Sequence, residues 1–148
     1  MSWHDAQAYC DHYGYPPSTE AQWEYAARGA AAPTYRLGSA WDPQKCSNWD
    51  NKAPGGSTFP VGSLPAGASW CRALDTAGNV CEWCADWFPG DYHETSPELH
   101  PTGPENGSSR VLRGDSWSSE DPRVAQRIDP PVGAEGISFG FRVSVSVP

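Results

Sequence analysis

Cysteines are the residues of this chain with the most evident chemical potential. Cys81 and Cys84 form a C-x-x-C pair, a spacing that suggests zinc binding or thiol exchange. A zinc site needs two further ligands at a similar spacing, which Cys46 and Cys71 do not have. The 5 cysteines are an odd number, so at least one is unpaired. We predict that they are mostly reduced core residues, with zinc as the lesser alternative.

Histidines give no support for hydrolytic catalysis. The 4 histidines are scattered, without a His-x-x-x-His pair or a local signature that joins one to a Ser or Cys nucleophile. They are His4, His12, His93 and His100.

The charge and hydropathy of the chain argue against two classes of partner. The formal charge is −8 at pH 7, whereas nucleic-acid binding depends on clustered Lys and Arg. No apolar run approaches the roughly 20 residues that cross a bilayer, and residues 1–10 lack the features of a signal peptide. We therefore expect no nucleic acid, no membrane, and a soluble protein of a reducing compartment such as the cytoplasm.

Two short helices are predicted near the N-terminus of what we expect to be one domain over residues 1–148. A capping box that starts at Ser2 predicts a helix over residues 3–13, with apolar residues at helical spacing. A second box that starts at Thr19 predicts a helix that is capped by Gly29.

Long loops and terminal strands make up the rest of the prediction. Residues 30–69 and 91–109 are rich in turn formers, so we expect ordered loops that tryptophans or a metal hold in place. The tryptophans are Trp41, Trp49 and Trp70. Residues 110–114 and the alternating segment 139–147 are predicted to be strands that pair with each other. Together these elements predict an α+β protein with a small antiparallel sheet.

A series of motifs supports a more specific prediction. In chain order they are SWHDAQAYC, STEAQWEYAARG, SNW, PVGS, ALDTAGNVCEWCADWF, RVLRGDSW and GFRV. Together they resemble the formylglycine-generating enzyme, or sulfatase-modifying factor, family across essentially the whole chain. The resemblance implies an α+β fold related to C-type lectins, with little regular secondary structure. Because family domains usually have a further N-terminal part, we expect a partner chain or a missing N-terminal segment to complete the fold.

The resemblance also implies what the chain does not catalyse. Active family members use two cysteines shortly after an RGGS motif to bind copper(I) as soft thiolates. Here Ser119 and Val124 occupy the corresponding positions, and no cysteine follows Cys84. We therefore predict neither copper binding nor formylglycine-generating oxidase activity.

A calcium site is implied at the loop DTAGNVCE. By resemblance, its ligands are the side chains of Asp75 and Glu82 and the carbonyls of Gly78 and Val80. Calcium takes oxygen ligands of this kind. The alternative is a tight turn at Gly78 whose backbone hydrogen-bonds to the two carboxylates. We favour calcium.

A second calcium of the family would use the side chain of Asn48 and the carbonyl of Trp49. The acidic position of that site falls in the shortened segment KAPGGST, where Asp50 is the nearest carboxylate. We instead predict that Trp49 is a core residue and that Asn48 faces solvent.

Three arginines match family arginines near the terminal strands, namely Arg113, Arg127 and Arg142. They could bind a carboxylate ligand, but we predict structural ion pairs with Asp or Glu, because that role is commoner.

Two functional classes remain open. The first is a non-catalytic module that binds a protein or small molecule through residues 115–138, as in the variable proteins of diversity-generating retroelements, which this segment resembles. Its predicted binding residues are Asp115, Trp117, Ser118, Ser119, Glu120, Asp121, Arg123, Gln126 and Asp129. The second is half of an oxidoreductase that resembles iron-dependent sulfoxide synthases, whose iron-binding histidines lie in a separate domain. An ordinary surface loop is the alternative to the binding segment.

Overall fold

A computed structural model describes residues 1–30, 42–88, 97 and 101–145. Within these ranges the secondary structure comprises two α-helices, one 3-10 turn (Pro65–Gly67) and a 4-stranded sheet. In chain order the elements are α1 (Trp3–Tyr13), α2 (Glu20–Arg28), β1 (Cys81–Trp87), β2 (Arg110–Arg113), β3 (Arg127–Ile128) and β4 (Phe139–Phe141). The predicted α+β class is confirmed. Predictions for Trp41, His93, His100 and residues 146–147 lie outside the described residues.

Both helices begin where the capping boxes predict. The Ser2 hydroxyl accepts from the backbone of Asp5, and the Asp5 carboxylate accepts from the Ser2 N–H at 2.7 Å. Thr19 and Gln22 make the same reciprocal pair before α2, which ends at Gly29 with φ 65°. Neither helix in the described ranges is long and apolar enough to cross a membrane.

The sheet has the order β3-β2-β1-β4, so β1 lies in its interior. β1 pairs antiparallel with β2 and parallel with β4. The two predicted strands therefore share one sheet, but the prediction that they pair directly is wrong because β1 lies between them. The sheet is mixed, not purely antiparallel as expected. The predicted strand at 139–147 is regular only over Phe139–Phe141, and Val143 forms an isolated bridge with Pro17.

Each face of the sheet carries its own core, because successive strand residues point to opposite faces. α2 covers one face, whose buried cluster comprises Trp23, Ala27, Ala77, Cys84, Val111 and Val124. α1 covers the other, whose buried cluster comprises Ala6, Cys81, Trp83 and Leu112.

Cys81 and Cys84 thus belong to different cores, as expected of core residues and not of a zinc pair. Burial raises the pKa of the Cys81 thiol to about 12 and that of Cys84 well above its usual value. Both are therefore neutral thiols at physiological pH. Cys10 is also buried, whereas Cys71 is exposed, against the expectation for core cysteines.

Candidate functional site

Asp115 holds together the first part of the predicted binding segment. It lies immediately after β2 and Gly114, in the left-handed conformation with φ 57°. Its Oδ1 accepts from the Ser119 hydroxyl at 3.0 Å, and its Oδ2 accepts from the Arg123 N–H at 3.0 Å. Asp115 therefore closes the loop from within and is half-buried. Its role is to hold the neighbouring residues of the segment in place, since both of its oxygens accept hydrogen bonds from them.

The middle of the segment is fixed to the protein interior. Val124 is fully buried in the core beneath α2, and Pro122, two residues earlier in the chain, is also buried. The guanidinium of Arg113 donates to the carbonyls of Ala125 at 2.8 Å and Gln126 at 3.0 Å. These contacts fix the position of the segment's backbone against the core.

Most of the predicted binding residues are displayed on this backbone. The exposed ones are Ser118, Glu120, Asp121, Arg123, Gln126 and Asp129, and the half-buried ones are Asp115, Trp117 and Ser119. Arg123 and Asp121 form an ion pair with Nη2 and Oδ2 2.6 Å apart, on the surface. Ion pairs on the surface contribute little to stability.

Ser119 and Val124, the two residues that the resemblance predicts at the cysteine positions, have structural roles here. The Ser119 hydroxyl donates to Asp115, and its backbone carbonyl accepts from the Trp49 N–H at 2.9 Å. Val124 contributes methyl groups to the core and has no exposed surface. Neither side chain supplies a thiolate, which a copper(I) site requires.

The DTAGNVCE loop is a tight turn. Asp75, Gly78 and Asn79 all have positive φ, at 57°, 73° and 62°. The Gly78 N–H donates to Gly114 at 2.8 Å, and a Cβ at Gly78 would lie 1.7 Å from the carbonyl oxygen of Ser47. Only glycine fits this close approach. The tight turn of the alternative is present, but the partners of its two carboxylates lie outside the turn backbone, at Gly62 for Asp75 and at Arg142 and Trp23 for Glu82.

The carboxylates of this loop have hydrogen-bond partners already. Asp75 Oδ2 accepts from the Gly62 N–H at 2.7 Å. The buried Glu82 pairs with Arg142, and its Oε2 also accepts from the indole of Trp23 at 2.6 Å. Oε2 of Glu82 already accepts two hydrogen bonds, from Trp23 and Arg142, and Oε1 accepts one from Arg142. Because each carboxylate oxygen can accept two hydrogen bonds, capacity for a cation remains on Oε1 of Glu82 and on Asp75.

The donor chemistry of the loop therefore fits calcium. Among the described residues no group of three Asp, Glu, His or Cys side chains could hold a metal. A calcium ion here would need the carbonyls of Gly78 and Val80 in addition to the two carboxylates, with Arg142 offsetting part of their charge.

Asn48 is in the opposite environment from the one predicted. It is 1% exposed, not solvent-facing. Its Oδ1 accepts from the N–H groups of Asp50 at 3.0 Å and Asn51 at 3.2 Å, and its Nδ2 donates to the Glu120 carbonyl at 3.0 Å. The Asn48 amide can be buried because backbone groups of the turn and of the binding segment satisfy its hydrogen bonds.

Trp49 is likewise not the core residue that was predicted, since its side chain is 50% exposed. The Trp49 carbonyl accepts from the ammonium of Lys52. Because Oδ1 of Asn48 already accepts two hydrogen bonds, it has no capacity left for a second calcium ion.

Ion pairs account for the arginines, as predicted. Arg113 is buried and pairs with Glu24 and with Glu20, at 3.5 Å from the latter. Arg127 pairs with Glu20 at 2.5 Å. Sequence reasoning did not identify the glutamates, although both lie on α2 one turn apart on the side that faces the sheet.

An apolar surface near α1 was also missed. We call Tyr9, Tyr13, Tyr15 and Val143, all exposed, the tyrosine surface. The rings of Tyr9 and Tyr13 lie 4.5 Å apart, and that of Tyr9 lies 5.2 Å from Phe141. Pro16 and Pro17, which follow Tyr15, run beside Val143 and Ser144 through a hydrogen bond and a bridge.

Comparisons with known proteins agree with the motifs. Residues 1–147 match the family described as sulfatase-modifying factor enzyme 1-like domain. The chain is 38% identical over 157 residues to the formylglycine-generating enzyme of Streptomyces coelicolor, covering 96% of this chain and 50% of that protein. It is 30% identical over 162 residues to the inactive C-alpha-formylglycine-generating enzyme 2 of Mus musculus, covering 99% and 48%.

Solved structures show the same fold. Treponema denticola variable protein 1 matches 87% of this chain and 46% of its own, with TM-score 0.70 and 30% identity. PvdO from Pseudomonas aeruginosa matches 97% and 59%, with TM-score 0.77 and 25% identity. The chain thus spans about half the length of these four proteins.

Proposed function

Because the chain belongs to the sulfatase-modifying factor enzyme 1-like family, we propose that it uses the scaffold of this family to bind a ligand and does not oxidise cysteine. The observation that carries this proposal is the segment after β2. The residues predicted at the cysteine positions are a hydrogen-bonded Ser119 and a core Val124, while the polar side chains of the segment are exposed on a fixed backbone. Adaptable groups on a rigid frame are suited to recognition.

The relatives support both halves of the proposal. One similar protein is named an inactive formylglycine-generating enzyme, so members of this family exist without the activity. Another is named a variable protein, and its fold overlaps most of this chain. We infer that the ligand is a protein or a small molecule that contacts the exposed side chains of residues 115–129.

A calcium ion at the DTAGNVCE loop is part of the proposal, in a structural role. Asp75, Glu82 and the carbonyls of Gly78 and Val80 would hold it. The loop contacts the frame of the binding segment, since the Asn79 carbonyl accepts from the Trp117 N–H at 3.0 Å. A bound ion would therefore stabilise the start of that segment.

The tyrosine surface is the proposed contact for further polypeptide. Contiguous exposed aromatic rings are typical of surfaces that another element covers. This is the place where we expect a partner chain or an additional segment to complete the fold.

An array of defined peptides and glycans tests the binding proposal. We expect at least one array component to bind the purified chain and to lose binding, by tenfold or more, in the triple variant Ser118→Ala, Asp121→Ala, Arg123→Ala. A loss of that size corresponds to about 1.4 kcal/mol. The control triple variant, Gln7→Ala, Asp11→Ala, His12→Ala, changes residues of α1 away from the binding segment and should bind normally.

Two outcomes would contradict the proposal. One is that every array component binds both triple variants equally, so that residues 115–129 take no part. The other is oxygen-dependent conversion of a sulfatase-type cysteine peptide to formylglycine, with or without added copper. That result would mean that the chain is an oxidase.

A further inference from the structure

Trp49 is a large exposed aromatic residue held beside the binding segment. The backbone N–H of Trp49 donates to the Ser119 carbonyl at 2.9 Å, and the side-chain amide of the preceding Asn48 donates to the Glu120 carbonyl at 3.0 Å. These two bonds join the turn at residues 48–52 to residues 119–120. The half-exposed indole of Trp49 therefore lies at the edge of the proposed binding surface, outside the residues assigned to it so far.

The indole already binds a cation. The Lys52 ammonium lies 3.7 Å from the centroid of the Trp49 ring and also donates to the Trp49 carbonyl. Tryptophan offers the strongest cation–π partner among the side chains, but such contacts are weak at exposed sites. A cation on a ligand can therefore displace Lys52.

Two acidic residues of the bonded segments favour the same type of ligand. Asp50 and Glu120 are exposed, the first next to Trp49 in sequence and the second in the segment bonded to its turn. The chain as a whole carries a formal charge of −8, which attracts cations and repels anions. An anionic ligand would gain nothing from these carboxylates.

We propose that Trp49, with Asp50 and Glu120, binds a cationic side chain of a polypeptide ligand, and that Lys52 occupies this site in the free protein. A guanidinium is the preferred group, because its planar face stacks on indole while its N–H groups donate to carboxylates. This inference rests on the proposed binding function and specifies the chemistry of its ligand.

Fluorine NMR of protein labelled with 5-fluorotryptophan provides the test. The chain has 8 tryptophans, and the signal that is missing from Trp49→Phe identifies Trp49. The probe is the peptide acetyl-Gly-Arg-Gly-Arg-Gly-amide, and the control peptide carries neutral citrulline in place of each arginine. We expect the arginine peptide to shift the Trp49 signal in a saturable way and the citrulline peptide to leave it unchanged.

Variants separate a ligand site from a passive surface residue. Lys52→Ala removes the resident cation and should tighten arginine-peptide binding about two- to fivefold, whereas Glu120→Gln should weaken it. Trp70→Ala removes an exposed indole beside α2 and should have no effect. Equal shifts with both peptides, or an affinity that Lys52→Ala leaves unchanged, would overturn the inference.

The test is independent of the array experiment. If the arginine peptide binds through Trp49 while the array shows no dependence on Ser118, Asp121 and Arg123, the site at Trp49 stands and the wider binding surface fails. If array binding depends on those residues but the arginine peptide does not shift Trp49, the binding function stands and this inference fails.

Discussion

Glu82 and Arg142 set the electrostatics of the DTAGNVCE loop. Burial lowers the pKa of the Arg142 guanidinium, but its hydrogen bonds and attraction to Glu82, with Asp75 adding to them, outweigh burial and raise that pKa. Arg142 is therefore a permanent positive charge beside the loop. A calcium ion has to coordinate Glu82 while this pair persists, which makes Asp75 the carboxylate with more freedom to bind it.

Removal of calcium should lower the melting temperature of the protein. If calcium at 100 times its Kd stabilises the native state by about 2.7 kcal/mol, the Tm should be about 5–10 °C higher in calcium than in chelator. Asp75→Ala should abolish this difference, and Asp11→Ala on the exposed face of α1 should retain it. Differential scanning calorimetry measures both. A wild-type Tm that does not respond to chelator would mean that Arg142 alone balances the carboxylates.

At the scale of elements, the contact between α2 and the sheet depends on charge as well as on packing. α2 places Trp23 in the core, and its Glu20 and Glu24 reach Arg113 on β2. Burial lowers the pKa of the Arg113 guanidinium, and the two glutamates oppose that effect. Removing one member of such a buried network leaves uncompensated charge in the interior.

Arg113→Met should therefore lower the free energy of unfolding by about 3–5 kcal/mol. The variant also loses the hydrogen bonds to Ala125 and Gln126, so the binding segment should become more mobile. Arg123→Met, which removes an exposed ion pair, should cost about 0–1 kcal/mol. Urea denaturation compares the two. Similar losses in both variants would contradict a central role for Arg113.

Sequence patterns predicted the elements unequally well. Both helices were predicted almost to the residue, because capping boxes and C-terminal glycines are local signals. β1 was not predicted, because CEWCADW packs on both faces and so lacks the alternation of a half-buried strand. Without β1, its two neighbours were paired with each other.

For the candidate site too, some features could be predicted from local sequence and others could not. The exposed polar residues after β2 could be predicted from the sequence, because they are a continuous segment. The environments of Asn48 and Trp49 could not, since they depend on hydrogen bonds to Ser119 and Glu120 far along the chain.

On the scale of the whole molecule, the tyrosine surface contrasts with the acidic remainder. A chain with formal charge −8 is well solvated over most of its surface, yet these aromatic rings lie together beside α1. An exposed apolar area of this kind lowers solubility unless something covers it.

The chain should therefore bind the neutral dye Nile red at this surface. Replacing Tyr13 and Val143 together by Ser should reduce the dye fluorescence by more than half, because both are exposed and neither belongs to the buried clusters. Trp70→Ser provides the control, since Trp70 is exposed elsewhere. If the control reduces fluorescence as much as the double variant does, the tyrosine surface is not a distinct site.

The position of β1 has a consequence for biosynthesis. Both of its neighbours in the sheet, β2 and β4, follow it in the chain, and β4 comes last among the described strands. During translation, β1 leaves the ribosome long before either neighbour, so the backbone hydrogen-bonding groups on both of its edges wait for their partners. Pairings between distant segments form slowly because loop closure precedes any gain from contact. The sheet should therefore assemble only after residues 139–141 have emerged, and chaperones that bind apolar nascent segments have a long interval in which to act on β1.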